Sequence, residues 1–324
     1  MNKDSAIKKY DAIIVGAGFA GIYMLLKLRK LGLSVVILEK ADQIGGTWHW
    51  NRYPGARCDI PSLEYSYQFD HDLQQEWDWS EKYSAQPEIL EYINHVADRF
   101  ELRDGIQFEE EVISANFNEN DSNWSITTSK DDYEAKFCIF ATGCLSVPNK
   151  PHFEGLENFE GELLQTSTWP QDKQDFTGKR VAIIGTGSSA IQSIPLIAQQ
   201  ADELFVFQRT PNYSIPSNNG PMDKNLEQEI KSRYPEFRKE NYLNGFGIAA
   251  ISDESLIVET DIEEVHAQLE ENWQNAGLGF FGGYADVAMD ADANSIAANF
   301  VRDKITGIVK DPETASLLAP DYHI

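Results

Sequence analysis

The chain has 324 residues, 42% hydrophobic and 11% aromatic, which suits about two folded domains and excludes global disorder. Lys and Arg number 27 against 52 Asp and Glu, a net charge of −25 that argues against nucleic acid as the main partner. Any anionic ligand has to be captured by local devices such as helix N-termini, against the global field.

The first element is a buried strand, Tyr10–Val15 (YDAIIV), β-branched and apolar throughout. It runs into GAGFAG, with Gly16, Gly18 and Gly21 on the GxGxxG spacing, and then into a helix over about Ala20–Leu31. Gly32 ends the helix, and Ser34–Leu38 is a second buried strand ending at Glu39. In such a βαβ unit Gly16 permits the tight turn, Gly18 lets a pyrophosphate approach the backbone, and Gly21 lets helix and strand pack closely. The helix N-terminus offers free N–H groups to phosphate, and Glu39 stands where a carboxylate accepts hydrogen bonds from a ribose. A purely structural turn would leave Glu39 unexplained.

Pro87–Phe100 reads as a helix with Ile89, Leu90, Ile93, Val96 and Phe100 inward and His95 at its edge. Acids at Glu109, Glu110 and Glu111, and again at Glu263 and Glu264, read as solvated faces. Val112–Phe117, Trp124–Thr128 and Tyr133 onward form a β-meander, followed by an apolar strand, Phe137–Gly143, ending in Ala141, Thr142 and Gly143. That turn fits the place where the chain leaves the first domain.

Lys179–Ile184 (KRVAII) is again a buried strand, followed by GTGSSA, a GxGxxA variant at Gly185, Gly187 and Ala190. A helix over Ser188–Gln200 and a strand over Leu204–Phe207 complete the unit. That strand ends in Gln208 and Arg209 where the first unit has its acid, and arginine there suits a 2′-phosphate, hence NADPH rather than NADH. Two dinucleotide sites of opposite character suggest a resident flavin and a nicotinamide that reduces it. Asp223–Tyr242, Asp261–Ala276 and Ala293–Val309 read as helices, the last with Ile296, Phe300, Val301, Ile305 and Ile308 on its apolar spacing.

Cys58, Cys138 and Cys144 make neither a disulfide framework nor a CxxC pair, which fits a reducing compartment and disfavours both structural zinc and a disulfide reductase. No run approaches the roughly 18 uninterrupted apolar residues of a membrane span. The apolar stretch after Lys3, Lys8 and Lys9 is broken by glycines and continues into Lys27, Arg29 and Lys30, unlike a secretory signal. A cytoplasmic protein without metal, membrane or nucleic-acid partner is expected, its oligomeric state open.

Gly45–Asp59, GGTWHWNRYPGARCD, resembles the long fingerprint of the class B flavin monooxygenases of Baeyer–Villiger type, matching at Gly45, Gly46, Trp48, Tyr53, Pro54, Gly55 and Asp59. Phe159–Pro170 resembles the shorter fingerprint at Phe159, Gly161, Trp169 and Pro170, with Gln165 where that motif has histidine. Phe207–Pro216, FQRTPNYSIP, is also similar to the family. The resemblance implies an α/β fold of two Rossmann-like dinucleotide-binding domains, for FAD and NADPH, with a β-meander and a helical insert. It implies that reduced flavin binds O2 at C4a and that the peroxide converts a ketone to an ester or lactone. The boundaries expected are 1–146 for the first part of the FAD domain, 147–217 for the first part of the NADPH domain, 218–310 for the insert and 311–324 for the return.

By the same resemblance Asp59 pairs with an active-site arginine, and Arg57 and Gln165 join it as catalytic candidates. Around FAD the set is Gly16, Gly18, Gly21, Glu39, Lys40, Gly46, Thr47, Trp48, Asp59, Tyr65 near the ring, Val112 at the adenine, Ala141, Thr142 and Gly143. Around NADPH it is Arg57, Gly185, Thr186, Gly187, Ser188, Ser189, Gln192, Arg209 and Thr210. A glutamine at 165 keeps a hydrogen bond but carries no proton or charge, which bears on coupling and not on the fold. The family's arginine follows a segment like Asp311–Tyr322, so the expectation is an N-terminal portion of a longer enzyme. The rivals are an N- or S-oxygenase on the same scaffold and a catalytically impaired nucleotide-binding fragment.

Overall fold

The computed structural model describes residues 6–145, 147–244, 247–248, 255–275 and 277–324. Lys3, Ser146 and Ala276, which the readings above use as tail, domain end and helix end, lie outside the described residues. So do 245–246 and 249–254 of the insert. The chain divides into two compact units, Met1–Tyr53 with Gln86–Gln174, and Pro54–Ala85 with Asp175–Ile324.

The first unit opens with β1 (Lys8–Val15), α1 (Phe19–Lys30) and β2 (Val35–Leu38). Ala12, Ile13 and Ile14 are fully buried, as a strand covered on both faces requires. The short α2 (Thr47–Trp50) follows; α3 (His71–Glu76) belongs to the segment that joins the second unit. The chain returns with α4 (Gln86–Arg99), which buries Ile89, Tyr92, Ile93, Val96 and Ala97. β3 (Ile106–Gln107), β4 (Val112–Asn118), β5 (Asn123–Thr128) and β6 (Asp132–Phe140) complete a six-stranded sheet in the order β3-β2-β1-β6-β5-β4. β6 is one strand where the sequence suggests two. It runs parallel to β1 from Lys8↔Tyr133 to Val15↔Phe140 and antiparallel to β5, so it joins meander and nucleotide fold in one ladder.

One expectation is overturned here. Glu110 is not on a solvated face: it is buried, accepting from Thr128 Oγ1 at 2.5 Å, while Glu109 and Glu111 are exposed. Glu109 has φ +55°, so the chain turns there and the three consecutive acids do not share one face.

In the second unit β7 (Arg180–Ile184), α5 (Ser188–Ala198) and β8 (Glu203–Phe207) repeat the βαβ pattern, with parallel register from Arg180↔Glu203 to Ile184↔Phe207. Pro54–Ala85 packs here. A side chain on Gly55 would fall 2.3 Å from the Gln192 carbonyl oxygen, and Trp79 N donates to Glu227 at 3.1 Å. The helical portion consists of α6 (Lys224–Ser232), α7 (Tyr234–Leu243), α8 (Ile262–Asn275), α9 (Ala291–Ile308) and α10 (Pro312–Leu318). The single helix expected over Asp223–Tyr242 is two. Pro235 lacks an N–H and cannot continue a preceding helix, so the chain breaks at Arg233, with φ −128°, and restarts with Pro235 in the first turn. Val265, Leu269, Trp273, Phe280, Phe300 and Val301 share one core, its rings 6.0–6.2 Å apart; Ile296 and Ile305 pack on it, whereas Ile308 is exposed. Among the described residues no helix is long and apolar enough to cross a membrane.

Candidate nucleotide-binding sites

Sterics dictate the first glycine turn. Gly16 has φ +103°, and a Cβ there would lie 2.8 Å from the Ala141 carbonyl oxygen; a Cβ on Gly21 would lie 1.9 Å from the Gly16 oxygen. Gly18 is the N-cap of α1, with no side-chain cap and no acid in the first turn, so the helix end keeps unsatisfied N–H groups and partial positive charge. A Cβ on Gly18 would meet only Gly46, at 3.6 Å and beyond, which leaves the backbone approachable. That opening fits the pyrophosphate of FAD.

Glu39 is buried, and its carboxylate does more than the sequence suggests. Oε2 accepts from Ala17 N at 2.6 Å, inside the glycine turn, and Oε1 accepts from Ala41 N at 2.8 Å. Each oxygen retains a lone pair for a ribose hydroxyl. Glu110 N donates to the Glu39 carbonyl at 2.8 Å, which brings Val112, two residues on, alongside the end of β2. Lys40 turns away and pairs with Glu111 at 2.8 Å. Ala141 N donates to Val15 O at 2.9 Å, so the Ala141–Thr142–Gly143 turn abuts Gly16.

The fingerprint loop has its own supports. Gly46 opens α2, Trp48 is buried, and Gln86 Nε2 donates to the Trp48 carbonyl. Sequence reasoning missed Gln86, since nothing local signals it. His49 is buried with Arg52 Nη2 at 3.2 Å from Nδ1 and Asp42 Oδ1 at 3.4 Å from Nε2. Because arginine only donates, Nδ1 accepts and Nε2 carries the proton. Burial first, then the Arg52 charge, lowers the imidazole pKa. Gln165 Nε2 donates to Asn149 O at 2.8 Å. The ring of Phe159 lies 2.5 Å from where a Gly161 side chain would be, which accounts for the FxG spacing of the shorter fingerprint.

In the second unit Gly187 caps α5, again with no side-chain cap and no acid in the first turn, and nothing lies within 4 Å of where its Cβ would be. Ser188 and Ser189 are the first two helical residues. The fingerprint's Asp59 comes to this helix: Oδ2 accepts from Ser188 Oγ at 3.1 Å and Oδ1 from Gln192 Nε2 at 3.0 Å. Gln192 also holds the Arg57 backbone, donating to its carbonyl at 3.2 Å. The Arg57 guanidinium binds Glu81 at 2.7 Å and the Tyr83 carbonyl at 3.0 Å. Burial raises the Glu81 pKa, but the bonds from Arg57 and Asn219 outweigh it and leave the carboxyl low, hence charged. Glu81 and Asn219 are partners that no motif announces. Thr186 Oγ1 donates to Gln208 at 3.0 Å; Arg209 and Thr210 are exposed beyond β8, and Tyr65 is half-buried.

Burial pushes the thiols of Cys58 and Cys138 up to about 11, so neither is a ready thiolate for disulfide exchange.

The family described as pyridine nucleotide-disulphide oxidoreductase matches residues 13–290. The chain is 41% identical over 318 residues to cyclohexanone 1,2-monooxygenase from an Acinetobacter species, covering 96% of this chain and 58% of that protein. It is 40% identical over 320 residues to phenazine N-monooxygenase PhzNO1 from Lysobacter antibioticus, with the same two coverages. A solved oxidized steroid monooxygenase bound to NADP superposes with a TM-score of 0.94 at 47% identity, over 98% of this chain and 61% of that one. The chain thus spans somewhat under two thirds of these proteins' length. From the family match and these likenesses, the chain belongs to the pyridine nucleotide-disulphide oxidoreductase family and is similar along almost its whole length to Baeyer–Villiger monooxygenases.

Proposed function

We propose that this chain is the two-nucleotide portion of an FAD- and NADPH-dependent monooxygenase that converts a ketone and O2 to an ester or lactone. The observation that carries the reading is a pair of glycine turns, each opening a helix with no side-chain cap and no acid within its own first turn, in a chain of net charge −25; at the second, Asp59 meets the Ser188 hydroxyl and leaves the backbone N–H groups open. In a field that repels phosphate, two such openings need anionic ligands to explain them. The first turn, with Glu39, Gly46, Thr47, Trp48 and Val112, would hold FAD; the second, with Arg57, Gln192, Arg209 and Thr210, would hold NADPH. When bound, flavin reduced by NADPH supplies the dioxygen-activating chemistry.

The protein's own part is to hold charge and exclude water. The α1 and α5 termini would offset the charge of the pyrophosphates, buried Trp48 would help keep water out, and the two fingerprints supply Asp59 and Gln165 as polar groups, each within its own unit. The domain reading goes with this: 1–146 for FAD, 147–217 for NADPH, 218–310 as insert and 311–324 as the return. Three cysteines without a disulfide fit a cytoplasmic location.

A second reading, N-oxygenation, is favoured by the 40% identity to a phenazine N-monooxygenase, level with that to the cyclohexanone enzyme. The test is to produce the complete gene product in flavin-replete cells and supply NADPH, air and a panel of ketones and phenazines. Bound FAD and ester products are expected. N-oxides without ester select the second reading, and a colourless protein that takes up no FAD sinks both.

A further inference from the structure

The loop after β8, Gln208–Pro216, is fastened from two sides. Toward the glycine turn, Gln208 accepts from Thr186 Oγ1 at 3.0 Å and Asn212 Nδ2 donates to the Thr186 carbonyl at 3.0 Å. Toward the end of the described chain, Gln208 Nε2 donates to Leu317 O at 2.6 Å, Tyr322 OH to Pro211 O at 2.7 Å and Tyr213 OH to Tyr322 O at 2.5 Å. Arg209 and Thr210 sit between these fastenings.

One side chain gathers the second set. Arg302, on α9, donates from Nε to Pro320 O at 2.6 Å, from Nη1 to Asn299 Oδ1 at 2.8 Å, and from Nη2 to Tyr213 OH at 2.8 Å and Tyr322 O at 3.0 Å. It also lies 5.9 Å over the Tyr213 ring. Eight residues earlier on the same helix, buried Asn294 binds Ile324 at both backbone groups, 3.0 and 3.1 Å. The planar fork of arginine lets one group hold a carbonyl turn and a phenol at once, which a lysine cannot copy.

We infer that Arg302 is a positioning residue for 2′-phosphate recognition: through Tyr213 and the 320–322 backbone it fixes the loop that presents Arg209 and Thr210. This rests on the NADPH reading of the second glycine turn. Preorganising that loop lowers the ordering cost of phosphate binding and leaves the part of the nucleotide shared with NAD+ untouched.

The experiment compares wild type, Arg302→Ala and Arg302→Lys by calorimetric titration with NADP+ and with NAD+, and by hydrogen exchange over 208–216. Both variants are expected to bind NADP+ about tenfold more weakly, to bind NAD+ as wild type does, and to exchange faster in the loop. A general loss of structure would weaken both nucleotides alike and would overturn the inference. Unchanged exchange in the loop overturns it whatever the nucleotides do. So does an unchanged NADP+/NAD+ ratio, or rescue by lysine, which would trace the effect to charge alone. A wild type that does not prefer NADP+ brings down the NADPH reading together with this inference, whereas a preference shared by all three proteins removes only the inference.

Discussion

Gly21, the third position of the first glycine motif, and Gly187, the second position of the other, have different surroundings. A Cβ on Gly21 meets the Gly16 carbonyl at 1.9 Å, backbone that cannot yield, so Gly21→Ala is expected to cost about 3 kcal/mol in denaturant unfolding and to abolish FAD uptake. Around Gly187 the space is open, so Gly187→Ala should cost no more than about 1 kcal/mol, the loss of a favoured N-cap residue, and yet weaken NADP+ binding in titration. His49 gives a pH prediction. Its folded pKa is lowered below 6.5, by burial first and then by Arg52, so the unfolded chain takes a proton that the folded chain refuses. Stability is therefore complete above about pH 6.5 and is lost as pH falls from there through the folded value. Denaturation midpoints from pH 7.5 to 5 should show this slope, and His49→Gln should flatten it.

Helix termini in the second unit differ in how they begin. Asp223, Asp290 and Asp311 cap α6, α9 and α10, each accepting from backbone N–H groups one turn in. Asp290→Ala should lower stability by about 1 kcal/mol, read as a shifted denaturant midpoint with unchanged slope. By contrast α5, like α1 in the first unit, begins at a bare glycine and leaves its donors for a ligand. Caps and bare starts alike are visible in sequence, because capping is a matter of three or four neighbouring residues. The break at Pro235 was equally visible as chemistry, but the apolar spacing on either side of it reads as one continuous helix.

For the whole molecule, charge and exposed apolar area oppose each other. Phe137, Phe140, Phe205 and Phe207 are each more than two-fifths exposed, patches of the kind that promote association. A charge of −25 keeps copies apart until salt screens it. Sedimentation of this chain should show association growing between about 0.05 and 0.5 M salt, and an association independent of salt would refute the balance.

Sequence alone determined both glycine turns, most strands and helices, the fingerprint residues and the family they resemble. Turn sterics, periodicity and capping act over a few residues, and a string records them. Only the tertiary structure decided that Pro54–Ala85 goes with the second unit, that Asp59 reaches Ser188 across 129 positions, that Glu110 is buried and that Arg302 grips Tyr213. Those pairings depend on which surfaces meet after collapse, and a hydrogen bond between residues far apart in the chain leaves no local trace in either of them.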